Sequence, residues 1–289
     1  MYPQGGIEQL LQPTGAPTMA EKLLSRDADG GAWITVQRAV GRRPYYVNPG
    51  TQAVYGGAER FYQAEQYSDQ FGTVTQVGYD PYRILLVRTE AQLSAQQRLV
   101  HTVEPDYHTL QPARDRDINY NVTEYLYDPL GNLRLVSRYG QEGDGQRGDR
   151  PLSEYQMPGT WKRERLLAEP HAYLQNATRC FFYDVMAWEQ QRQPAHTLSI
   201  EREIYFSEQG NLRQSPLQMS LEYFDGLGRS VQQKQRAEAG LAVDLNDTGQ
   251  VVEQQVQERW ITTGWSIYNN KGLVVKEFEP FYATTAAYQ

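Results

Sequence analysis

The sequence predicts an all-β protein built from antiparallel hairpins that form a curved sheet, with little helix. Three observations carry this prediction. Many segments alternate polar and apolar residues or are rich in β-branched and aromatic residues, which favours strands. A short turn motif recurs between these segments. Tyrosine also outnumbers phenylalanine, at 21 residues to 8, among 289 residues that are 39% hydrophobic. Tyrosine combines an apolar ring with a hydroxyl that needs a polar partner, which suits sheets with a hydrated face.

Changes in composition divide the chain into four predicted regions. The first mixes Pro, Gly and polar residues, and the third opens on the Gly-rich, charged stretch QEGDGQRGDR, which is typical of a surface loop. The regions are an N-terminal arm over 1–32, a β region over 33–140, a loop-rich insertion over 141–178, and a second β region over 179–289. Within the insertion, residues 162–177 can hold a helix, broken at Pro170 because proline lacks the N–H of a helix interior.

Strands are predicted in order along the two β regions. The predicted segments are AWITVQRAV, TVTQVGYD, RILLVRTE, NVTEYLYD, NLRLVSRY, LSIEREIYF, MSLEYFD, SVQQKQR, VVEQQVQERW, GWSIYNN and LVVKEFE. Each is short and is bounded by Gly, Pro, Asp or Asn, which mark turns.

The turn motif places an acid or amide three residues before a glycine. Such spacing is typical of a type I turn, in which the first side chain accepts a backbone N–H, Pro suits the second position, and Gly adopts the left-handed conformation that closes the hairpin. The predicted turn residues are Asp69, Gly72, Asp80, Pro81, Asp128, Pro129, Gly131, Asp225, Gly228, Asn269 and Gly272. An aromatic residue precedes the acid, as Tyr127 precedes Asp128. This interpretation explains the aromatic, acid, Pro and Gly together, whereas a catalytic Asp128 would explain the acid alone.

Composition argues against several functions. A net charge of −7 and a pI near 5.3 disfavour a nucleic-acid surface, which needs clustered Lys and Arg. The lone Cys180 and the spacing of the four His residues predict neither a disulfide nor a metal site. No phosphate-binding loop or nucleophile elbow is recognisable, so we expect no cofactor. No leader peptide or membrane span is recognisable either.

Two other functions remain as alternatives. Carboxylate pairs at Glu201 and Glu203, and at Glu277 and Glu279, resemble the Glu-x-Glu of ADP-ribosyltransferases, but exposed strands often carry such pairs. The stronger alternative is a carbohydrate-binding β module that stacks sugars on Trp260, Trp265 and Tyr268. Packing of these rings in a tyrosine-rich sheet is the simpler expectation.

The units YDPLGNLRLV, YFDGLGRSVQ and YNNKGLVVKEF resemble Rhs or YD repeats. Three longer strings are similar to the C-terminal part of the B subunit of insecticidal toxin complexes, the SpvB/TcaC-type family. They are FYQAEQYSDQFGTVTQVGYDPYRILLVRT, EYFDGLGRSVQQKQRAEAG and TGWSIYNNKGLVVKEFEPFYATTAAY. The resemblance covers most of residues 33–289. The sequence departs from it at EAQLSAQQRLV and DRDIN, where turns lack the expected glycine.

The resemblance implies a structural role without catalysis. In this family the Rhs repeats of the B subunit join those of a C subunit in a hollow β shell that encloses a cytotoxic polypeptide. The chain would then be a virulence-associated wall segment, made in the bacterial cytoplasm without a Sec signal and acting outside the cell. Its expected partners are a C-subunit-like Rhs protein or the rest of a B subunit, together with the enclosed toxin. Free sheet edges also make self-association possible.

Overall fold

The computed structural model describes residues 33–35, 45–47, 52–69, 72–94, 96–140, 147–210, 214–245 and 250–289. The chain divides into two compact units. One contains the described residues up to 105 together with 115–118, and the other contains 106–114 and the described residues from 119 to 289. The predicted N-terminal arm over 1–32 lies outside the described residues.

The first unit is an antiparallel meander. Its strands are β1 (Trp33–Thr35), β2 (Tyr45–Val47), β3 (Gln52–Tyr55), β4 (Ala64–Ser68), β5 (Val74–Tyr79), β6 (Leu86–Gln92) and β7 (Arg98–Asp106), with a 3-10 turn at Ala58–Arg60 between β3 and β4. β1 pairs with β2, and each strand from β3 to β7 pairs with the next in sequence. Two boundaries between the units fall within strands. One lies one residue before the end of β7, and another lies within β8 (Gln111–Arg116).

The second unit begins as a meander and ends with rearranged strand order. Its strands are β9 (Val122–Tyr127), β10 (Leu133–Tyr139), β11 (Arg179–Asp184), β12 (Ala195–Arg202), β13 (Leu217–Phe224), β14 (Ser230–Ala237), β15 (Gly240–Leu245), β16 (Val251–Val256), β17 (Arg259–Thr263), β18 (Ser266–Tyr268), β19 (Val274–Glu277) and β20 (Phe281–Ala283). Neighbours follow sequence order from β9 to β14, and then run β17, β20, β15 and β16. β18 and β19 form a separate hairpin.

Short helices lie in the connections of the second unit. α1 (Arg163–Ala168), α2 (Pro170–Leu174) and the 3-10 turn Leu152–Glu154 lie in the predicted insertion, while α3 (Ala187–Gln191) and the 3-10 turn Phe206–Glu208 lie in connections between strands. Pro170 is the first residue of α2, a position where the missing N–H costs no hydrogen bond. The expected helix break at Pro170 therefore separates two helices.

The core of the second unit lies between the sheet and these helices. β12 alternates strictly between half-buried and buried residues, because successive side chains of a strand point to opposite faces. The core side chains are Leu135, Leu166, Tyr173, Leu174, Ala177, Cys180, Leu198, Ile200, Met219, Leu221, Tyr223, Val231 and Trp260. Three of them come from α1 and α2, so the predicted insertion supplies part of the core.

The predicted all-β class of antiparallel hairpins is confirmed. One pairing departs from it, a single parallel bridge between Val243 of β15 and Ala283 of β20. The predicted strand LSIEREIYF is also wrong at its end, since β12 stops at Arg202. The Arg202 side chain turns inward to an ion pair with Asp149, and the chain then enters a 3-10 turn.

The segment after β20 lies against buried polar side chains of the sheet. Lys234, with 1% of its surface exposed, donates from Nζ to the Thr285 carbonyl at 3.1 Å. Burial lowers the pKa of Lys234 to about 8, against the opposing effect of nearby Asp244. The Tyr223 hydroxyl donates to the carbonyl of Ala286, and these bonds hold the segment on the sheet. No helix in the described ranges is long and apolar enough to cross a membrane.

Candidate functional site

The five predicted turns share one hydrogen-bonding pattern. In each, the first side chain accepts a backbone N–H from the residue four positions on, and its carbonyl accepts from the residue three on. Gly72, Gly131, Gly228 and Gly272 all have positive φ, between 75° and 83°. Four of the five hairpins, all but the one at Asp69, also carry a register shift beside the turn. Each turn therefore sets the register of a hairpin.

Asp128 is the most buried acid of the glycine-containing turns, with 9% of its surface exposed. Its Oδ1 accepts the N–H groups of Leu130 and Asn132, both at 2.9 Å, and its Oδ2 accepts from Asn132 Nδ2 at 3.1 Å. Arg134 approaches Oδ2 at 3.7 Å. Both carboxylate oxygens of Asp128 are therefore engaged within the hairpin.

The electrostatics of Asp128 fit a structural carboxylate. Burial acts to raise its pKa, but the hydrogen bonds from Asn132 and Leu130 outweigh it and hold the pKa below its usual value. A general base near neutral pH needs a pKa raised toward 7 and an open path to a proton. Asp128 has the opposite shift and is surrounded by donors of its own turn.

Asp80 forms the same turn without glycine. Its Oδ1 accepts the N–H groups of Ile84 and Leu85, each at 2.8 Å, and Arg83 occupies the left-handed position with φ of 57°. Pro81 follows Asp80 at the second turn position, as Pro129 follows Asp128. A residue with a Cβ is strained there, so the hydrogen bonds of Asp80 sustain a conformation that glycine adopts without strain.

The two turns predicted to be altered still connect paired strands. Ser94 Oγ accepts the N–H of Gln97 at 3.1 Å in the stretch EAQLSAQQRLV, and β6 pairs with β7. At DRDIN, β8 continues through Arg116, and Tyr120 takes a positive φ of 66°. Ser94 thus takes the place of the acid in the first turn, and a left-handed tyrosine stands where glycine was expected in the second.

The alternative sugar-stacking residues do not form an open row. Trp260 is a core residue with 5% of its surface exposed, which corrects its assignment to a sugar platform. Trp265 stacks on Phe278 with ring centroids 3.8 Å apart, and the Arg229 guanidinium lies 4.1 Å from the Tyr268 ring centroid. A neighbouring side chain thus lies against one face of each of these rings.

Other reactive groups are buried or paired. Cys180 is fully buried, and burial raises the pKa of its thiol to about 12. Within the part of the chain that the structure describes, no group of three or more His, Cys, Asp or Glu side chains could hold a metal. Glu201 forms an ion pair with Arg179, which accounts for one member of the first Glu-x-Glu pair.

A buried ion pair joins the predicted insertion to β12. Arg202 Nε lies 3.3 Å from Asp149 Oδ1 and donates to the carbonyl of Ala177 at 2.7 Å. Asp149 also accepts the Thr178 hydroxyl at 2.5 Å, and burial raises its pKa despite these donors. Sequence reasoning missed this pair because Asp149 and Arg202 are 53 residues apart in the sequence.

A second feature that sequence reasoning missed lies beside β16. A cavity of about 420 Å³, here called the edge pocket, is lined by Val243, Asp244, Val251, Trp265, Phe278, Phe281 and Gln289. Trp265 and Phe278 flank the β18–β19 hairpin, and Phe278 N–H donates to the Trp265 carbonyl at 3.0 Å. The paired aromatics on either side of SIYNNKGLVVKE were the available sequence signal.

The fold is similar to that of solved Tc toxin structures. "Crystal Structure of TcdB2-TccC3" matches with a TM-score of 0.77 and 21% identity, covering 99% of this chain and 13% of that one. A TcdB2-TccC3 structure without the hypervariable C-terminal region matches with a TM-score of 0.76 and 18% identity, covering 98% of this chain and 16% of that one. A Photorhabdus luminescens Tc holotoxin pore matches with a TM-score of 0.73 and 18% identity, covering 97% of this chain and 15% of that one.

No protein-family model and no curated protein matches the sequence. The chain thus spans less than a fifth of the length of these Tc toxin structures while almost all of it aligns with them. At this level of identity the likeness shows a shared fold.

Proposed function

We propose that the chain is a structural segment of the wall of a toxin-complex B-like protein, which helps to enclose a cytotoxic polypeptide and has no catalytic activity of its own. The observation that carries this proposal is the alignment of 99% of the chain, at a TM-score of 0.77, with a TcdB2-TccC3 structure. The Rhs-like turn units and the three strings similar to SpvB/TcaC-type B subunits point to the same family.

The turn geometry supports a wall rather than an enzyme. The acids of the recurrent motif accept hydrogen bonds from their own turns, so they stabilise hairpins. Repeated hairpins of this kind extend a sheet by one unit at a time, and fold alone does not assign chemistry. The proposed role therefore requires a stable sheet of suitable shape that binds its partner proteins.

The proposed partners are a C-subunit-like Rhs protein or the remaining part of a B subunit. The aligned region is a small share of the Tc toxin chains, so a closed wall would need further segments. We place the assembled protein outside the cell, as part of a toxin complex.

The test is association with a C-subunit-like Rhs protein from the same source. The two proteins are mixed or co-expressed and measured by size-exclusion chromatography with light scattering. We expect a stable complex that shields an enclosed polypeptide from added protease. An unrelated acidic β protein serves as control. A chain that stays a monomer and leaves the polypeptide open to protease would contradict the proposal.

A further inference from the structure

Strand β16 is an edge strand with few of the features that protect such strands. Among the described residues it pairs with β15 on one side and with no strand on the other. Its sequence, VVEQQV, contains no Pro or Lys, and its register with β15 shows no bulge. Protein edges normally carry such features because an open row of N–H and C=O groups accepts another strand.

The apolar residues at the start of β16 are open to solvent. Val251 has 68% of its surface exposed and Val252 has 38%. Val251 also lines the edge pocket, so the pocket extends as far as the edge strand. A volume of about 420 Å³ falls within the range of about 300–1,000 Å³ typical of cavities that bury a ligand.

The register of β15 and β16 fixes which charges lie near the pocket. Glu253 is directly opposite Val243, which lines the pocket, and it shares a face with Val251. Asp244 is a second acid at the pocket, where it accepts the Thr284 hydroxyl at 2.6 Å.

Two lysines lie near the edge pocket, but neither forms an ion pair with Glu253 in the structure. Lys234 is buried and interacts with Asp244, and the Lys276 ammonium lies 4.4 Å from the Phe278 ring centroid. Glu253 is therefore the one charged residue of β16, and its negative charge is exposed.

We propose that β16 and the edge pocket bind an extended strand of another polypeptide that carries an aromatic residue and, two positions away, a basic residue. The backbone of this strand pairs with the free edge of β16. Its aromatic side chain lies opposite Val251 and enters the pocket beside Trp265 and Phe281, while its basic side chain lies opposite Glu253. Strand addition of this kind takes affinity from main-chain hydrogen bonds and specificity from pockets for alternate side chains.

The peptide site does not depend on the proposed role in a shell wall. It rests on the free edge, the pocket and the charge of Glu253, all of which belong to this chain. A failed complex with a C-subunit-like protein would leave it standing, and failed peptide binding would leave the wall proposal standing.

The test uses the full chain and two fluorescent capped peptides, Thr-Phe-Thr-Lys-Thr and its reverse, Thr-Lys-Thr-Phe-Thr, because either strand direction can occur. Binding is followed by fluorescence anisotropy. We expect saturable binding of at least one peptide. Replacing its Phe with Ala should weaken binding by about 10-fold or more, since the Ala peptide leaves the pocket unfilled. Replacing its Lys with Glu should weaken it by about threefold or more, and methylating its backbone nitrogens should abolish it.

Variants of the chain locate the site. Val251→Asp should reduce binding by about 10-fold or more, since it places a charge at the mouth of the pocket. Glu253→Lys should remove the preference for the Lys peptide over the Glu peptide. Val185→Asp is the matched control, because Val185 is similarly exposed, at 58%, and does not line the pocket. Circular dichroism checks that each variant is folded.

The proposal is overturned if neither peptide binds saturably, or if the Ala peptide binds as well as the Phe peptide. It is also overturned if Val251→Asp and Val185→Asp have equal effects while both variants remain folded.

Discussion

Replacing Asp128 with alanine tests whether the recurrent acid is a structural turn residue. Alanine removes three acceptor contacts, from Leu130 N, Asn132 N and Asn132 Nδ2, at 2.9, 2.9 and 3.1 Å. A hydrogen bond to a charged group contributes about 1.5–3 kcal/mol, and bonds to one carboxylate are not additive. We therefore expect a loss of about 2–4 kcal/mol in the free energy of unfolding of the second unit.

Urea unfolding followed by circular dichroism measures this loss. For an m-value of about 3 kcal/mol/M, the urea midpoint should fall by about 0.7–1.3 M. Asp128→Asn is the conservative control, because an asparagine oxygen can accept the same two backbone N–H groups, as Asn269 already does in its own turn. We expect that variant to lose about 1 kcal/mol or less.

Asp225→Ala provides a second comparison. Asp225 makes the same turn but is half-buried, so water can replace some of the lost acceptors, and the expected loss is about 1 kcal/mol. The reasoning is refuted if Asp128→Ala unfolds at the wild-type midpoint, or if the Asn and Ala variants of Asp128 lose equal stability.

The pH dependence of the Asp128 contribution has a defined sign. Because its pKa is lowered on folding, its stabilisation is complete above the pKa of an unfolded Asp, about 3.9, and is lost as pH falls through the folded value. The stability difference between wild type and Asp128→Ala should therefore be constant from neutral pH to about pH 5 and shrink in more acidic solution.

Four further predictions concern single buried or strained groups. Burial lowers the pKa of His196, so the protein should lose stability as pH falls below about 6.5, by at most about 1.4 kcal/mol per pH unit. Urea unfolding of His196→Asn should therefore show a flatter pH profile than that of the wild type. Arg202→Met should cost about 3–5 kcal/mol in urea unfolding, because Asp149 is left buried without its ion-pair partner, and a loss below about 1 kcal/mol would contradict this. Cys180 should react with a thiol reagent only on unfolding, so rapid labelling of the native protein would show that its burial is wrong. Arg83→Gly should raise the midpoint of thermal unfolding by relieving about 1 kcal/mol of left-handed strain, whereas an unchanged or lower midpoint would mean that the Arg83 side chain stabilises the turn.

The sequence allowed the class of the fold to be predicted, because hairpin turns are local. The turn that contains Asp128, Pro129 and Gly131 is determined by four consecutive residues, so their spacing alone indicates it. The end of β12 was not predictable in the same way. Arg202 and its partner Asp149 are far apart in sequence, and only the folded sheet brings them together.

The candidate site was harder to predict for the same reason. Val251 and Trp265 line one pocket because β17 and β20 separate β15 from β14 in the sheet, an order that no local pattern indicates. Trp260 and Trp265 are only five residues apart, yet one is buried in the core and the other stacks on Phe278. Proximity in sequence suggested a shared platform, but Trp260 lies within β17 and Trp265 lies after its end.

The meander from β9 to β14 has a consequence for how the chain is made. Every strand in it pairs with the strand that precedes it, so each pair can close once its second strand has left the ribosome, although β11 reaches β10 only after the intervening residues 140–178 have been made. β17 differs, since it pairs with β14 across the β15–β16 hairpin and must wait for that hairpin to be synthesised. Sheets whose contacts are local in sequence fold faster than those that close over long loops. Synthesis from the N-terminus therefore favours a folding front that advances strand by strand and pauses twice, at β10 while residues 140–178 are being made and at β14 while β15 and β16 are being made.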